Sequence, residues 1–143
     1  MMERTILLVE DSDDDAELTI RAFERAGVAT LITRARDGAE ALASLRRAAR
    51  ADELPEAVLL DLRLPGMDGL EVLKSIHDEE RYRSLPVIVM TSSADDEDRL
   101  AALTRGAVGY VRKPVRCEEF VKAATTLGLN WSASISVFGS SAQ

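Results

Sequence analysis

Apolar residues gather in short runs along this chain, separated by longer stretches in which they recur every three or four positions. The runs, rich in Val, Ile and Leu, are Thr5–Val9, Thr30–Thr33, Ala57–Asp61, Pro86–Thr91 and Val108–Arg112. Continuous apolar segments of this length suit strands covered on both faces, as in a parallel sheet. The amphipathic stretches that follow each run predict helices near Asp13–Ala26, Gly38–Arg50, Leu70–Glu80, Asp95–Arg105 and Cys117–Leu127. That alternation of strand and helix predicts an α/β domain with helices around a parallel sheet. Punctuation agrees, since Ser12 and Asp37 stand where N-caps belong and Gly27 and Gly106 where helices should stop. No internal repeat or linker divides the unit, and only the residues after Gly128 leave its pattern.

Acids stand where the apolar runs end. Glu10 and Asp11 follow Ile6-Leu7-Leu8-Val9, and Asp61 follows Val58-Leu59-Leu60. In an open parallel sheet the carboxyl ends of strands border the ligand crevice, so these carboxylates should converge. Two carboxylates about 4 Å apart repel by roughly 4 kcal/mol at an effective dielectric near 20, so a cation or a proton must hold them together. Mg2+ fits that need, because it is a hard, oxygen-seeking ion usually held by one or two carboxylates together with a phosphate. The pattern therefore points to phosphoryl chemistry. The remaining strands end in Thr91-Ser92 and Lys113-Pro114, a hydroxyl and an ammonium of the kind that an acylphosphate's outer oxygens require.

Charge and length narrow the partners. The chain of 143 residues suits one domain, and its formal net charge of −7 provides no basic field for gripping nucleic acid. No segment approaches the roughly 20 apolar residues of a membrane span. The start Met-Met-Glu-Arg runs into a strand without a signal-peptide core, and Cys117 is the sole cysteine, so no internal disulfide can form. The expectation is a cytoplasmic protein that contacts neither DNA nor membrane directly.

Four motifs now fall in order: Leu-Val-Glu-Asp at 8–11, Leu-Asp-Leu-Arg-Leu-Pro-Gly-Met-Asp-Gly at 60–69, Met-Thr-Ser at 90–92 and Lys-Pro at 113–114. With this order and spacing, residues 3–128 resemble the receiver domain of two-component response regulators. The resemblance implies a flavodoxin-like, doubly wound sheet of five parallel strands in the order 2-1-3-4-5. It implies that Asp61 is the phosphoacceptor, that Asp11 binds Mg2+ directly, Glu10 binds it through water, and Arg63 adds a backbone carbonyl. Thr91 would bond a phosphoryl oxygen, while Lys113 would pair with Asp61 before phosphorylation and with the phosphate afterwards. The Lys113–Pro114 bond would be cis, and Tyr110 would be the aromatic switch that follows Thr91. Arg63 departs from the smaller or neutral residue common at its position, which leaves the phosphoform's lifetime open. The implied partner is a sensor histidine kinase or a phosphotransfer protein. The stretch from Arg46 to Pro55 and the extended C-terminus narrow the resemblance to single-domain regulators that partner bacterial phytochromes.

Plainer readings compete at several positions. Asp13, Asp14 and Asp15 read as acids favouring a helix N-terminus. His77 lies on a helix without the neighbours a kinase needs, and Cys117 lacks a partnered base. Leu100, Leu103 and Ala107 read as core. From Leu129 to Val137 apolar and polar residues alternate strictly, a period that suits a strand. Residues 129–143 thus form a tail that either folds back, joins a second copy in a homodimer through Trp131, Ile135 and Val137, or stays disordered. Two rival functions are a degenerate receiver acting as a phosphate-independent interaction module and an aspartate-nucleophile phosphatase. The phosphatase needs a second acid where this chain has Arg63, and the degenerate module would have lost site residues that are all present.

Overall fold

The computed structural model describes residues 4–26, 30–91, 101–102, 104–116, 118–120 and 122. Its five strands are β1 (Arg4–Val9), β2 (Thr30–Ala35), β3 (Ala57–Asp61), β4 (Val87–Thr91) and β5 (Gly109–Arg112). All pair in parallel, in the order β2-β1-β3-β4-β5. This is the flavodoxin-like wind, and among the described residues β2 and β5 are the sheet edges. The helices are α1 (Asp13–Ala26), α2 (Gly38–Arg50) and α3 (Gly69–Asp78). Residues 101–102 and 104, and 118–120 and 122, are helical within the fourth and fifth predicted helices.

Strand periodicity divides the core in two. Ile6, Leu8, Leu59, Ile88, Met90 and Val111 face Phe23 of α1 and Phe120, whose rings meet edge-on with centroids 5.2 Å apart. Leu7, Val9, Val58, Leu60, Val87 and Val89 face Ala41 and Leu45 of α2 and Val72, Leu73 and Ile76 of α3. Every residue of β3 and β4 is buried, which is why their sequences are unbroken apolar runs.

The caps follow the sequence. Ser12 Oγ accepts from the Asp15 amide at 3.2 Å, and Asp37 accepts from the Glu40 amide at 2.8 Å. Gly106 adopts φ +107°, the left-handed conformation of a helix stop. Gly27 lies outside the described residues. Six boundaries differ from the predicted ones; β1 starts at Arg4, β4 at Val87 and β5 at Gly109. β2 runs on to Ala35, and α3 begins at Gly69 and stops at Asp78 instead of Glu80. Glu79 turns extended there, and a 3-10 turn over Glu80–Tyr82 buries the Tyr82 ring.

Candidate functional site

Parallel register brings four strand ends to one height. Val9 pairs with Leu60, Asp61 with Met90 and Thr91 with Arg112, so Glu10, Asp61, Thr91 and Lys113 emerge side by side. Glu10, Asp61 and Thr91 are buried at 0, 4 and 2% exposure, whereas Asp11 is exposed. Oxygens from Glu10, Asp11 and Asp61 all lie within 4.8 Å of one another. The convergence expected from the strand-end acids is present.

Lys113 reaches into this cluster across a cis Lys113–Pro114 bond. Its Nζ donates to Asp61 Oδ2 at 2.8 Å and to Asp15 Oδ2 at 3.1 Å, and stands 2.7 Å from Glu10 Oε1. The last contact is an ion pair without hydrogen-bond alignment, so Glu10 Oε1 is a buried carboxylate oxygen with charge compensation but no donor. Glu10 Oε2 accepts from the Ser12 amide at 3.2 Å. Burial pushes the Glu10 carboxyl up to about 7; Lys113 opposes the rise and Asp61 adds to it. For Lys113, burial works against the ammonium, but Asp61 and Glu10 outweigh it and hold the group above its ordinary range.

The loop after β3 closes tightly beneath Asp61. The Arg63 amide donates to Asp61 Oδ1 at 2.9 Å, while the Arg63 side chain is exposed. Gly66 turns the chain at φ +76°, and Asp68 caps α3. A Cβ on Gly69 would lie 2.5 Å from the Asp61 carbonyl oxygen and from Leu62 Cα, so only glycine fits. Three carboxylates whose oxygens lie within 4.8 Å of one another form an all-oxygen donor set that fits a hard divalent cation; Glu10, Asp11 and Asp61 could hold it.

Two acids read only as helix-terminal charges have a second role. Asp15 is the third carboxylate on Lys113, and Asp13 Oδ1 pairs with Arg34 at 2.6 Å and Arg36 at 3.2 Å. The hydrogen bond from Arg34, with the Arg36 charge, keeps the Asp13 carboxyl below the ordinary range. Arg34 also donates to the Glu10 carbonyl, a contact that the sequence pattern did not reveal. A signal existed: acids this dense need cations nearby, and Arg34 and Arg36 close the strand that pairs with β1. Tyr110 is half-buried on β5 opposite Val89 and packs on the α2–α3 side of the sheet. His77 is exposed, with its ring beside Gly106, and Ala107 is buried as expected. Ser92, Leu100, Leu103, Cys117 and the tail from 129 to 143 lie outside the described residues. No helix among the described residues is long and apolar enough to cross a membrane.

Residues 6–125 match the response regulator receiver domain family. The chain is 42% identical over 127 residues to the probable methanogenesis regulatory protein FilR2 of Methanothrix harundinacea, covering 88% of this chain and 82% of that protein. Among solved structures it is similar to the bacteriophytochrome response regulator AtBRR, at 40% identity and a TM-score of 0.80, covering 92% of this chain and 96% of that one. It is also similar to the phosphorylated cyanobacterial phytochrome response regulator RcpA, at 28% identity and a TM-score of 0.72, covering 95% and 89%. The chain therefore belongs to the response regulator receiver domain family, signalling proteins of two-component systems that work with histidine kinases or phosphotransfer proteins.

Proposed function

We propose that the protein takes a phosphoryl group onto Asp61 from the phosphohistidine of a sensor histidine kinase or a phosphotransfer protein, and signals through protein contacts. The observation that carries this reading is the seating of Asp61: buried, 2.8 Å from the Lys113 ammonium, and clustered with the Glu10 and Asp11 carboxylates. An Asp61 oxygen forms the new P–O bond as the P–N bond breaks. The electron pair stays on the imidazole nitrogen, which leaves neutral after taking a proton from water. Lys113 then turns from the carboxylate to the phosphoryl oxygens, and the Thr91 hydroxyl donates to one of them. Glu10, Asp11, Asp61 and the Arg63 carbonyl would hold Mg2+, which when bound neutralises charge on the phosphoryl oxygens. The Arg63 side chain, exposed two residues after Asp61, would influence how fast the acylphosphate is hydrolysed.

In this reading residues 1–128 are the receiver and 129–143 a dimerisation arm, with Tyr110 relaying the state of Thr91 to the surface beside β5. The alternating apolar tail supports the arm, and similarity to AtBRR supports a phytochrome-type kinase as donor. The deciding experiment incubates parent and Asp61→Asn with a small acyl phosphate and Mg2+. Base-labile phosphate should appear on the parent and vanish in the variant, and undiminished labelling of Asp61→Asn would refute the assignment. Deleting 129–143 should convert a dimer to a monomer in light scattering; a parent already monomeric at tens of micromolar would remove the arm.

A further inference from the structure

The phosphoryl chemistry leaves Arg34 without a role. It stands one residue before the end of the edge strand β2, and its side chain is only 19% exposed. Both backbone groups of Glu10 are held from this strand. The Glu10 amide donates to the Ala35 carbonyl at 3.0 Å, and the Glu10 carbonyl accepts from Arg34 Nε at 3.0 Å and Nη2 at 2.9 Å. The third arm of the guanidinium, Nη1, donates to Asp13 Oδ1 at 2.6 Å. One planar group thus bridges the residue that follows β1 and the residue that begins α1, with Asp11 and Ser12 between them.

We infer that Arg34 is a positioning residue for the cation site: by clamping the Glu10 carbonyl and Asp13, it fixes the loop that carries Asp11. The inference rests on the reading that Glu10 and Asp11 hold a divalent cation. Asp11 is exposed and lies in the short connection between β1 and α1, so its own packing cannot fix its direction. Holding the Glu10 backbone on one side and the Asp13 carboxylate on the other supplies that order before a metal arrives. Charge alone argues the other way, because a guanidinium beside a cation site weakens binding. The sign of the effect therefore separates positioning from electrostatics.

The test titrates Mg2+ by calorimetry into the parent, Arg34→Ala, Arg34→Lys and Arg36→Ala, with amide exchange of Asp11 and Ser12 followed without metal. Loss of an outer partner of a metal ligand costs about ten- to a hundredfold in affinity, and that range is expected for both Arg34 variants. Lysine keeps the charge but not the fork, so it should not rescue. It also decides the matter should Arg34→Ala fail to fold. Exchange at Asp11 and Ser12 should quicken in both variants. Arg36→Ala removes a contact of a 64% exposed arginine to Asp13 alone and should change affinity by less than about threefold. Tighter Mg2+ binding by Arg34→Ala with an unchanged Arg34→Lys would show a purely electrostatic residue and overturn the inference. Unchanged binding in both would overturn it too, while leaving the cation site standing. A parent that takes up no Mg2+ would remove the site itself.

Discussion

Replacing Lys113 by Met removes the charge that holds the buried acids together while keeping most of the stem's volume. In the parent, Nζ stands 2.8 Å from Asp61 Oδ2 and 2.7 Å from Glu10 Oε1. At an effective dielectric near 20 each contact is worth about 6 kcal/mol of attraction before desolvation. Desolvation offsets much of this, and breaking a buried pair by removing one partner leaves a net loss of about 3–5 kcal/mol. Proton uptake by Glu10 makes the loss depend on pH. Its carboxyl already titrates near 7 because it is buried, and without Lys113 it must climb higher. Below that pH Glu10 is protonated in both proteins, so the variant lacks chiefly the Asp61 pair and should lose about 2 kcal/mol. Above it, the parent's Glu10 ionises beside Lys113 while the variant's folded state still binds a proton that its unfolded state has lost. The gap should therefore widen toward about 4 kcal/mol. Urea denaturation in EDTA at about pH 6 and about pH 8.5 measures both values. A gap below about 1 kcal/mol, or one that narrows as pH rises, would refute the reasoning.

The raised Glu10 pKa has consequences in the parent as well. Between its ordinary 4.5 and about 7 the folded state keeps a proton that the unfolded state has released, so metal-free stability should fall as pH rises through that window. Mg2+ affinity should rise over the same window, with proton release below pH 7 visible as buffer-dependent calorimetric heats; pH-independent binding would contradict this. Gly69→Ala should destabilise by about 1–3 kcal/mol and slow labelling of Asp61, because its Cβ meets main-chain atoms that cannot rotate away. A thermal melt within about 1 °C of the parent would show that the loop shifts freely.

Legibility in the sequence followed the range of the interaction. The five strands and the first three helices could be read because their signals are local: unbroken apolar runs where both faces are covered, and three-to-four spacing where one is. The strand-end acids were legible because register in a parallel sheet aligns carboxyl ends whatever the loops do. The end of α3 was not, since Glu79 and Glu80 suit a helix and the 3-10 turn is set by burying Tyr82. Asp15 and Arg34 were hidden for another reason. Their partners lie 98 and 24 residues away, and no periodicity records a contact made only after separate elements have docked. The acidic run after β1 satisfies two demands at once, a helix N-terminus and a set of cations, and only the first is visible locally.

Charge balance ties these residues to the proposed chemistry. Glu10, Asp15 and Asp61 meet the Lys113 ammonium and Asp11 lies beside Glu10 and Asp61, so four carboxylates against one positive charge leave three negative charges in the cluster. Asp11 is the exposed member of that set, open to an arriving ion. The burial-raised Glu10 can shed one charge by keeping its proton, which leaves two, the charge that one divalent cation neutralises. A proton on Glu10 and a divalent cation thus each relieve part of the same repulsion. The proposed phosphorylation of Asp61 would exchange a single negative charge for a dianion, and the ammonium would then serve the phosphoryl oxygens. Lys113 released from Asp61 still has Asp15 at 3.1 Å, so its ammonium can swing without losing every partner.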